Sequence, residues 1–291
     1  RLPKILGKSR DIQLGMIRKP DGEYTETAEE VIDILLSVHF PGNTEILHQA
    51  DATVGPRYSS TPEFRKYAKQ IITPSRVAWS IQKMKPYKSA GTDEIFPALL
   101  QKGSEWLVWP LCQIYRASLA CGYIPVSWRE ARVVFVPKPG KPDYGIAKAF
   151  RPISLTSFLL KGMERIIDRG IRDGPLKVQP LHANQHAFQP GKSTETALGW
   201  IVNRVENALK NKEYALAVFF DIEGAFDHVR YDDVARAFQE RGVYDTVNRW
   251  ITELLTNRVI TSEFHQVKVS RTPVNGMPQG GGLSPIVANG G

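Results

Sequence analysis

The sequence predicts an α/β fold, because apolar segments with strand character alternate along it with segments of helical period. The most apolar strand signal covers residues 214–220, and a second apolar run covers residues 131–136 before a proline-rich turn. The clearest amphipathic helix covers residues 194–211, where apolar side chains recur every four residues. Strands flanked by such helices predict a sheet covered by helices.

The remaining elements follow from the same spacing and from their boundary residues. Thr25, followed by acidic residues that suit a helix N-terminus, opens the first helix, and Pro41-Gly42 ends it. Residues 43–62 carry no firm signal and are predicted to form a loop. The other predicted elements, in chain order, are helices starting at residue 74 and covering 97–103, 106–120, 157–172, 232–241 and 247–255, and a strand over 264–269. Trp106, Trp109 and Tyr115 share helical spacing and are predicted to pack in the core.

Composition favours a folded protein with an anionic partner. The chain has 291 residues, 42% of them hydrophobic, and a net charge of +8. Residues 57–151 hold 16 Lys or Arg against 6 Asp or Glu, which suits a nucleic acid. The alternative is a solvated basic face. Two cysteines without zinc spacing fit a reducing compartment, and no apolar run approaches the length of a membrane span.

Asp221 is the first candidate for chemistry, because it directly follows the apolar run of residues 214–220. A carboxylate in that position can bind a hard cation such as Mg²⁺, and phosphoryl transfer commonly uses two such ions. The alternative is a helix N-cap. A two-metal site also needs at least one more carboxylate, presented by an adjacent strand.

Five blocks, in this order along the chain, resemble motifs of non-LTR (LINE-type) retrotransposon reverse transcriptases. They are an upstream block at residues 88–93, a finger block made of the motifs at 136–141 and 150–155, an element at 188–194, the first catalytic motif at 218–227, and the next motif at 276–285 with Asn289. Each block alone is weak, but the ordered series is specific. Gly282 departs from the pattern, in which a larger residue is usual.

The resemblance implies roles for individual residues. Asp221 would bind the catalytic metals through its side chain and Ile222 through its carbonyl. The nucleotide-binding residues would be Lys138, Arg151, Phe226, Gln279 and Gly280. Lys138 is alternatively a surface lysine, and Phe226 a core aromatic. Asp227 is interpreted as a cap for the helix that follows it.

The resemblance also implies a right-hand polymerase fold with fingers, a partial palm and a mostly antiparallel sheet backed by helices. The expected organisation is an N-terminal extension (1–75), fingers (76–212) and a partial palm (213–291). The implied function is RNA-directed DNA polymerase activity, with Mg²⁺ as cofactor and with dNTPs, an RNA template and a DNA primer or target DNA as partners. The implied location is the nucleus or cytoplasm, and the protein is not expected to be secreted. The third catalytic motif, aromatic-Ala-Asp-Asp, does not occur before Gly291, so we expect an incomplete enzyme. The alternatives are a non-catalytic, nucleic-acid-binding remnant and a group II intron type of reverse transcriptase.

Overall fold

The computed structural model describes residues 14–45, 59–222 and 224–283. In chain order the helices are α1 (Ala28–His39), α2 (Pro62–Ile71), α3 (Pro74–Gln82), α4 (Pro97–Lys102), α5 (Ser104–Cys121), α6 (Val126–Arg129), α7 (Phe158–Asp173), α8 (Pro175–Val178), α9 (Thr194–Lys210), α10 (Tyr231–Glu240) and α11 (Asp245–Thr256). The strands are β1 (Thr44–Glu45), β2 (Glu130–Pro137), β3 (Phe150–Thr156), β4 (Val259–Phe264) and β5 (Val267–Thr272). Runs of helices are thus separated by single strands or pairs of strands, and the predicted α/β class is confirmed.

Most of the predicted helices begin within about three residues of their predicted starts, and side-chain caps mark the first turns of α1, α3, α7 and α9. Thr27 Oγ1 accepts the Glu30 N–H at the start of α1, and Ser193 forms a capping box with Thr196 at the start of α9. Helix α2 was not predicted, although Thr61 caps it and a proline follows at its first position. The predicted loop over 43–62 is thus wrong at both ends, where β1 and α2 lie; its residues 46–58 fall outside the described residues.

The five strands form one sheet in the order β1-β5-β4-β2-β3. Strands β2 and β3 pair antiparallel, as do β4 and β5, but β2 and β4 pair in parallel at the centre. The sheet is therefore mixed, which corrects the expectation of a mostly antiparallel sheet. The physical reason is the connection between β3 and β4, which runs through several helices and so can return the chain in the same direction as β2.

The predicted strand over 264–269 is only partly right: residue 264 ends β4 and residues 267–269 begin β5, but a tight turn at residues 265–266 separates them. His265 and Gln266 both adopt positive φ angles, +46° and +67°, and join β4 to β5 as a hairpin. Two positive φ values in a two-residue connection are typical of the turn whose twist matches antiparallel strands. The sequence lacks the glycine or asparagine that usually reveals such a turn.

The predicted strand over 214–220 is absent from the sheet. Residues 213–222 pair with no strand among the described residues, and Phe220 is 90% exposed. The segment lies along α9, with a cavity of about 560 Å³ between them, and α9 buries none of its own side chains. An apolar run becomes a strand only when a neighbouring strand satisfies its backbone, and no strand of the described sheet does so.

Three apolar clusters hold the sheet and helices together. The largest joins α2, α3, α5, α7, α10 and α11 and includes Trp250 and Tyr115. A second lies between α1 and one face of the sheet, and a third packs α1 against Ile17 and the residues at the start of β3. Trp106 and Trp109 are exposed, so of the three aromatic residues predicted in the core only Tyr115 is buried. None of the helices in the described ranges is both long and apolar enough to cross a membrane.

Candidate active site

The two motifs around Asp221 and Gln279 meet in space at the turn after Asp221. The glycine-rich loop, residues 276–283, lies against this turn through two backbone hydrogen bonds. The Gly276 N–H donates to the Val229 carbonyl at 2.8 Å, and the Met277 N–H donates to the Phe226 carbonyl at 2.8 Å. The two segments are separated by about fifty residues in sequence and still form one unit.

Asp227 joins the same unit through its side chain. The Gln279 Nε2 donates to the Asp227 Oδ1 at 3.3 Å. Burial raises the pKa of the Asp227 carboxyl, against the opposing effects of His39 and the Gln279 hydrogen bond. The interpretation of Asp227 as a helix cap is wrong, because Arg230 occupies the N-cap position of α10 and makes no side-chain cap bond.

The glycine-rich loop also runs beside β3, the edge strand that carries Arg151. The Ser154 N–H donates to the Gln279 carbonyl at 3.0 Å. A side-chain carbon at Gly280 would lie 3.3 Å from the Ser154 carbonyl, and Gly280 has a φ of +110°. Glycine therefore permits the close approach of the loop to the strand.

The two predicted phosphate-binding side chains occupy different environments. Arg151 is exposed on β3, opposite Val136, and its side chain has no hydrogen-bond or ionic partner among the described residues. The Lys138 ammonium donates to the Lys148 carbonyl at 2.8 Å. Its positive charge also favours the ionised form of Asp227, which lowers the pKa of that carboxyl against the larger effect of burial. Lys138 thus lies near the turn, while Arg151 faces solvent.

Phe226 is partly buried, and its ring packs against the largest apolar cluster. Its carbonyl is the acceptor for Met277, so the residue holds the turn to the glycine-rich loop through its backbone. The packing fits the alternative interpretation of Phe226 as a core aromatic.

Asp221 and Ile222 make no hydrogen bond to this unit among the described residues. Both are exposed, on the segment 213–222, which pairs with no strand of the described sheet. Within the described ranges, no three His, Cys, Asp or Glu side chains come together as a group that could hold a metal ion. The described residues therefore do not assemble a two-metal site, and Asp221 offers a single carboxylate to one. Ser284, Pro285 and Asn289 of the second motif lie outside the described residues.

Comparison with known proteins decides the family. The family model described as reverse transcriptase (RNA-dependent DNA polymerase) matches residues 136–290, which are more than half of the chain. The chain belongs to the reverse transcriptase family. The matched residues of this reverse transcriptase domain include β3, the turn after Asp221 and the described glycine-rich loop, so the unit described above lies inside the family's own sequence pattern.

Curated relatives of this reverse transcriptase domain come from retrotransposons. The probable RNA-directed DNA polymerase from transposon BS of Drosophila melanogaster is 28% identical over 280 residues, 93% of this chain and 30% of the relative. The RNA-directed DNA polymerase from mobile element jockey of the same species is 27% identical, over 79% of this chain and 25% of the relative. The Pol polyprotein from type-1 retrotransposable element R1 of Bradysia coprophila is 26% identical, over 72% of this chain and 20% of the relative.

These matches confirm the resemblance to LINE-type reverse transcriptases. The chain spans less than a third of the length of each of these three relatives.

Several buried groups that contact the turn after Asp221 or the glycine-rich loop were missed by reasoning from the sequence. His39 in α1 is buried, its Nε2–H donates to the Ala147 carbonyl at 3.1 Å, and its ring interacts electrostatically with Asp227. Glu164 in α7 and Arg258 before β4 are buried and contact the glycine-rich loop. A signal existed for Glu164, since it lies four residues after Leu160 and three before Ile167, on the apolar side of an amphipathic helix.

Proposed function

We propose that this chain forms the fingers and part of the palm of an RNA-directed DNA polymerase that copies retrotransposon RNA into DNA from dNTPs. The observation that carries the proposal is the contact between Asp227 and Gln279, which joins the two reverse transcriptase motifs at one place. The boundaries 1–75, 76–212 and 213–291 for N-terminal extension, fingers and partial palm belong to the same proposal.

The nucleotide would bind beside β3 and the glycine-rich loop. Arg151 would contact the triphosphate, since an exposed guanidinium without a partner among the described residues is available to an anion. Lys138 would add a second positive charge, which stabilises negative charge on a phosphate during transfer. Gln279 and Gly280 would lie against the base pair, and Phe226 against the sugar of the incoming nucleotide.

A divalent cation would supply charge neutralisation at the phosphates. Asp221 and the Ile222 carbonyl would offer ligands to Mg²⁺. The described residues do not complete that site, and the role of the protein groups around the glycine-rich loop is to orient the nucleotide.

The test is nucleotide binding by the 291-residue chain in the presence of an RNA–DNA primer–template. Arg151→Ala should weaken dNTP binding by about one to two decades, because a charge-assisted hydrogen bond contributes about 1.5–3 kcal/mol. Primer–template affinity should change little. Arg132→Ala is the matched control, because Arg132 is an exposed arginine on β2, the strand paired with β3.

Equal losses in both variants would show that general positive charge, and not a nucleotide contact, explains the effect. Loss of primer–template binding by Arg151→Ala would move this residue from the nucleotide to the nucleic acid.

A non-catalytic, nucleic-acid-binding role is the second candidate, and the charge distribution favours it. Residues 57–151 hold 16 basic and 6 acidic residues, and this surplus of positive charge suits binding to nucleic-acid phosphates without selection for a nucleotide sequence. Binding of primer–template without any detectable dNTP binding would favour this role over the polymerase.

A further inference from the structure

Two charged side chains are buried next to the glycine-rich loop, away from solvent. Glu164 and Arg258 are each 2% exposed. Burying a charge is unfavourable unless hydrogen bonds and an opposite charge compensate for the lost hydration. We therefore expect both buried charges to be compensated by specific hydrogen bonds and by their opposite signs.

Both side chains bind the backbone of the glycine-rich loop, one near each end. The Glu164 Oε2 accepts the Gly282 N–H at 2.9 Å. The Arg258 Nη2 donates to the Gly276 carbonyl at 3.3 Å. Burial raises the pKa of the Glu164 carboxyl, while the loop amides and Lys161 oppose that shift. Since a carboxylate accepts these N–H groups better than a neutral acid does, the loop favours the charged form.

The same two side chains line one small cavity together with Thr156. Its volume is about 10 Å³, enough for a single water molecule at most. The Arg258 Nε and Nη1 and the Thr156 Oγ1 are buried and have no hydrogen-bond partner among the described residues. The opposite charges of Glu164 and Arg258 interact electrostatically. The cavity thus joins the two loop-binding groups into one polar cluster.

The position of Gln279 depends on what holds the loop. Between its two anchored ends, Gln279 donates from its side chain to Asp227 and accepts through its carbonyl from Ser154. Gly282 allows the approach of α7, because a side-chain carbon there would lie 3.1 Å from the Glu164 Cβ. A larger residue at Gly282 would have to displace Glu164.

We infer that Glu164 and Arg258 form a buried clamp that holds the glycine-rich loop at both ends and thereby positions Gln279. They are positioning residues, because they act through the loop and do not touch the nucleotide. The consequence for nucleotide binding rests on the proposed function, whereas the clamp itself is a property of the folded chain and can be tested separately.

The test is amide hydrogen exchange of the 291-residue chain, followed in peptides covering 276–283. Glu164→Met removes the acceptor and retains similar volume, so exchange in these peptides should accelerate about tenfold or more. Glu164→Gln should stay within about threefold of the wild type, because its amide oxygen still accepts the Gly282 N–H. Peptides from α5 and α11 should keep their protection in both variants.

The matched control is Asp168→Asn on the same helix. This variant alters the ion pair between Asp168 and Arg172, whose charged atoms lie 2.9 Å apart and are only partly buried. It should leave exchange in the loop unchanged. If Glu164→Met does not fold, Arg258→Lys decides alone: it keeps the charge but loses the guanidinium contact to Gly276, so loop exchange should still accelerate.

Unchanged loop exchange in Glu164→Met or Arg258→Lys, or equal acceleration across α5 and α11, would overturn the clamp. The effect on nucleotide binding is measured separately, as the affinity of each variant for dNTP at a constant primer–template concentration. Faster loop exchange with weaker dNTP binding supports both proposals. Faster loop exchange in a chain whose wild type binds no dNTP supports the clamp and rejects the polymerase function.

Discussion

Gly276 is the position where a single added methyl group should separate the two reverse transcriptase motifs. Its φ of +82° lies in the region that L-residues disfavour. A side-chain carbon there would lie 2.9 Å from the Asp227 carbonyl oxygen and 3.1 Å from the Phe226 carbonyl oxygen. Both obstacles are backbone atoms, which cannot rotate away as a flexible side chain could. Gly276→Ala must therefore either strain the turn or push the loop off it.

The magnitude has two parts. The positive φ disfavours alanine by about 1–2 kcal/mol. Overpacking against the two carbonyls adds about 1–3 kcal/mol, by analogy with other added methyl groups at tightly packed sites. We therefore expect Gly276→Ala to lower the free energy of unfolding by about 2–5 kcal/mol. If the loop moves away instead, the backbone hydrogen bonds of Gly276 and Met277 are lost, with an effect of similar size.

The assay is equilibrium unfolding in urea, with the free energy difference taken from the midpoint at unchanged slope. Gly242→Ala is the matched control, since Gly242 has a φ of +70° and a side-chain carbon there would meet nothing within 4 Å. This control should lose only the conformational part, about 1–2 kcal/mol. The difference between the two variants then measures the contact between the turn and the loop. Equal destabilisation by both variants would refute the reasoning, because the close approach at Gly276 would then carry no energy.

Three further predictions use the same chain. Burial lowers the pKa of His39, so the stability that its neutral form contributes is complete above the usual pKa of about 6.5 and is lost as pH falls towards the folded-state pKa. His39→Gln should therefore reduce the loss of unfolding free energy at acid pH, whereas His182→Gln, at an exposed position, should not. Burial raises the pKa of Asp227, so the contribution of this residue to stability declines as pH rises above the usual carboxyl range. Asp227→Asn should reduce that decline in the free energy of unfolding. An unchanged pH dependence of the unfolding free energy would contradict the burial of Asp227. Affinity for RNA–DNA duplex should fall linearly with salt on logarithmic axes, and a flat response would leave residues 57–151 as a solvated face.

Local signals predicted most of the helices, because caps and prolines act within one turn of chain. Thr27 and Ser193 each accept a backbone N–H three residues ahead, and such pairs are visible directly in the sequence. The hairpin of β4 and β5 was missed because its turn uses His265 and Gln266, which are unusual at positive φ.

The sheet was harder to predict, because strand pairing is decided by distant segments. Residues 214–220 have the composition of a central strand, but composition does not supply a neighbour, and the described segment has none. The parallel pairing of β2 with β4 joins residues more than a hundred positions apart, beyond the reach of local patterns.

The candidate site was predictable at the level of motifs and not of contacts. The ordered motifs indicated that the segment after Asp221 and the loop around Gln279 belong to one site, and the structure brings their backbones together. Neither the hydrogen bond from Gln279 to Asp227 nor the buried charges of Glu164 and Arg258 can be read from spacing, because each depends on side chains from separate elements.

The unpaired apolar segment has a consequence for how this chain behaves at high concentration. Residues 216–220, Leu-Ala-Val-Phe-Phe, have high β propensity and carry neither charge nor proline, the composition of segments that stack into cross-β fibrils. Val218 and Phe219 are exposed, and the backbone around them is free of strand partners among the described residues. Open edges of this kind recruit identical segments from other molecules. Purification at low concentration, or the substitution Phe219→Lys, should therefore keep the chain dispersed, whereas the unchanged chain at high concentration should precipitate.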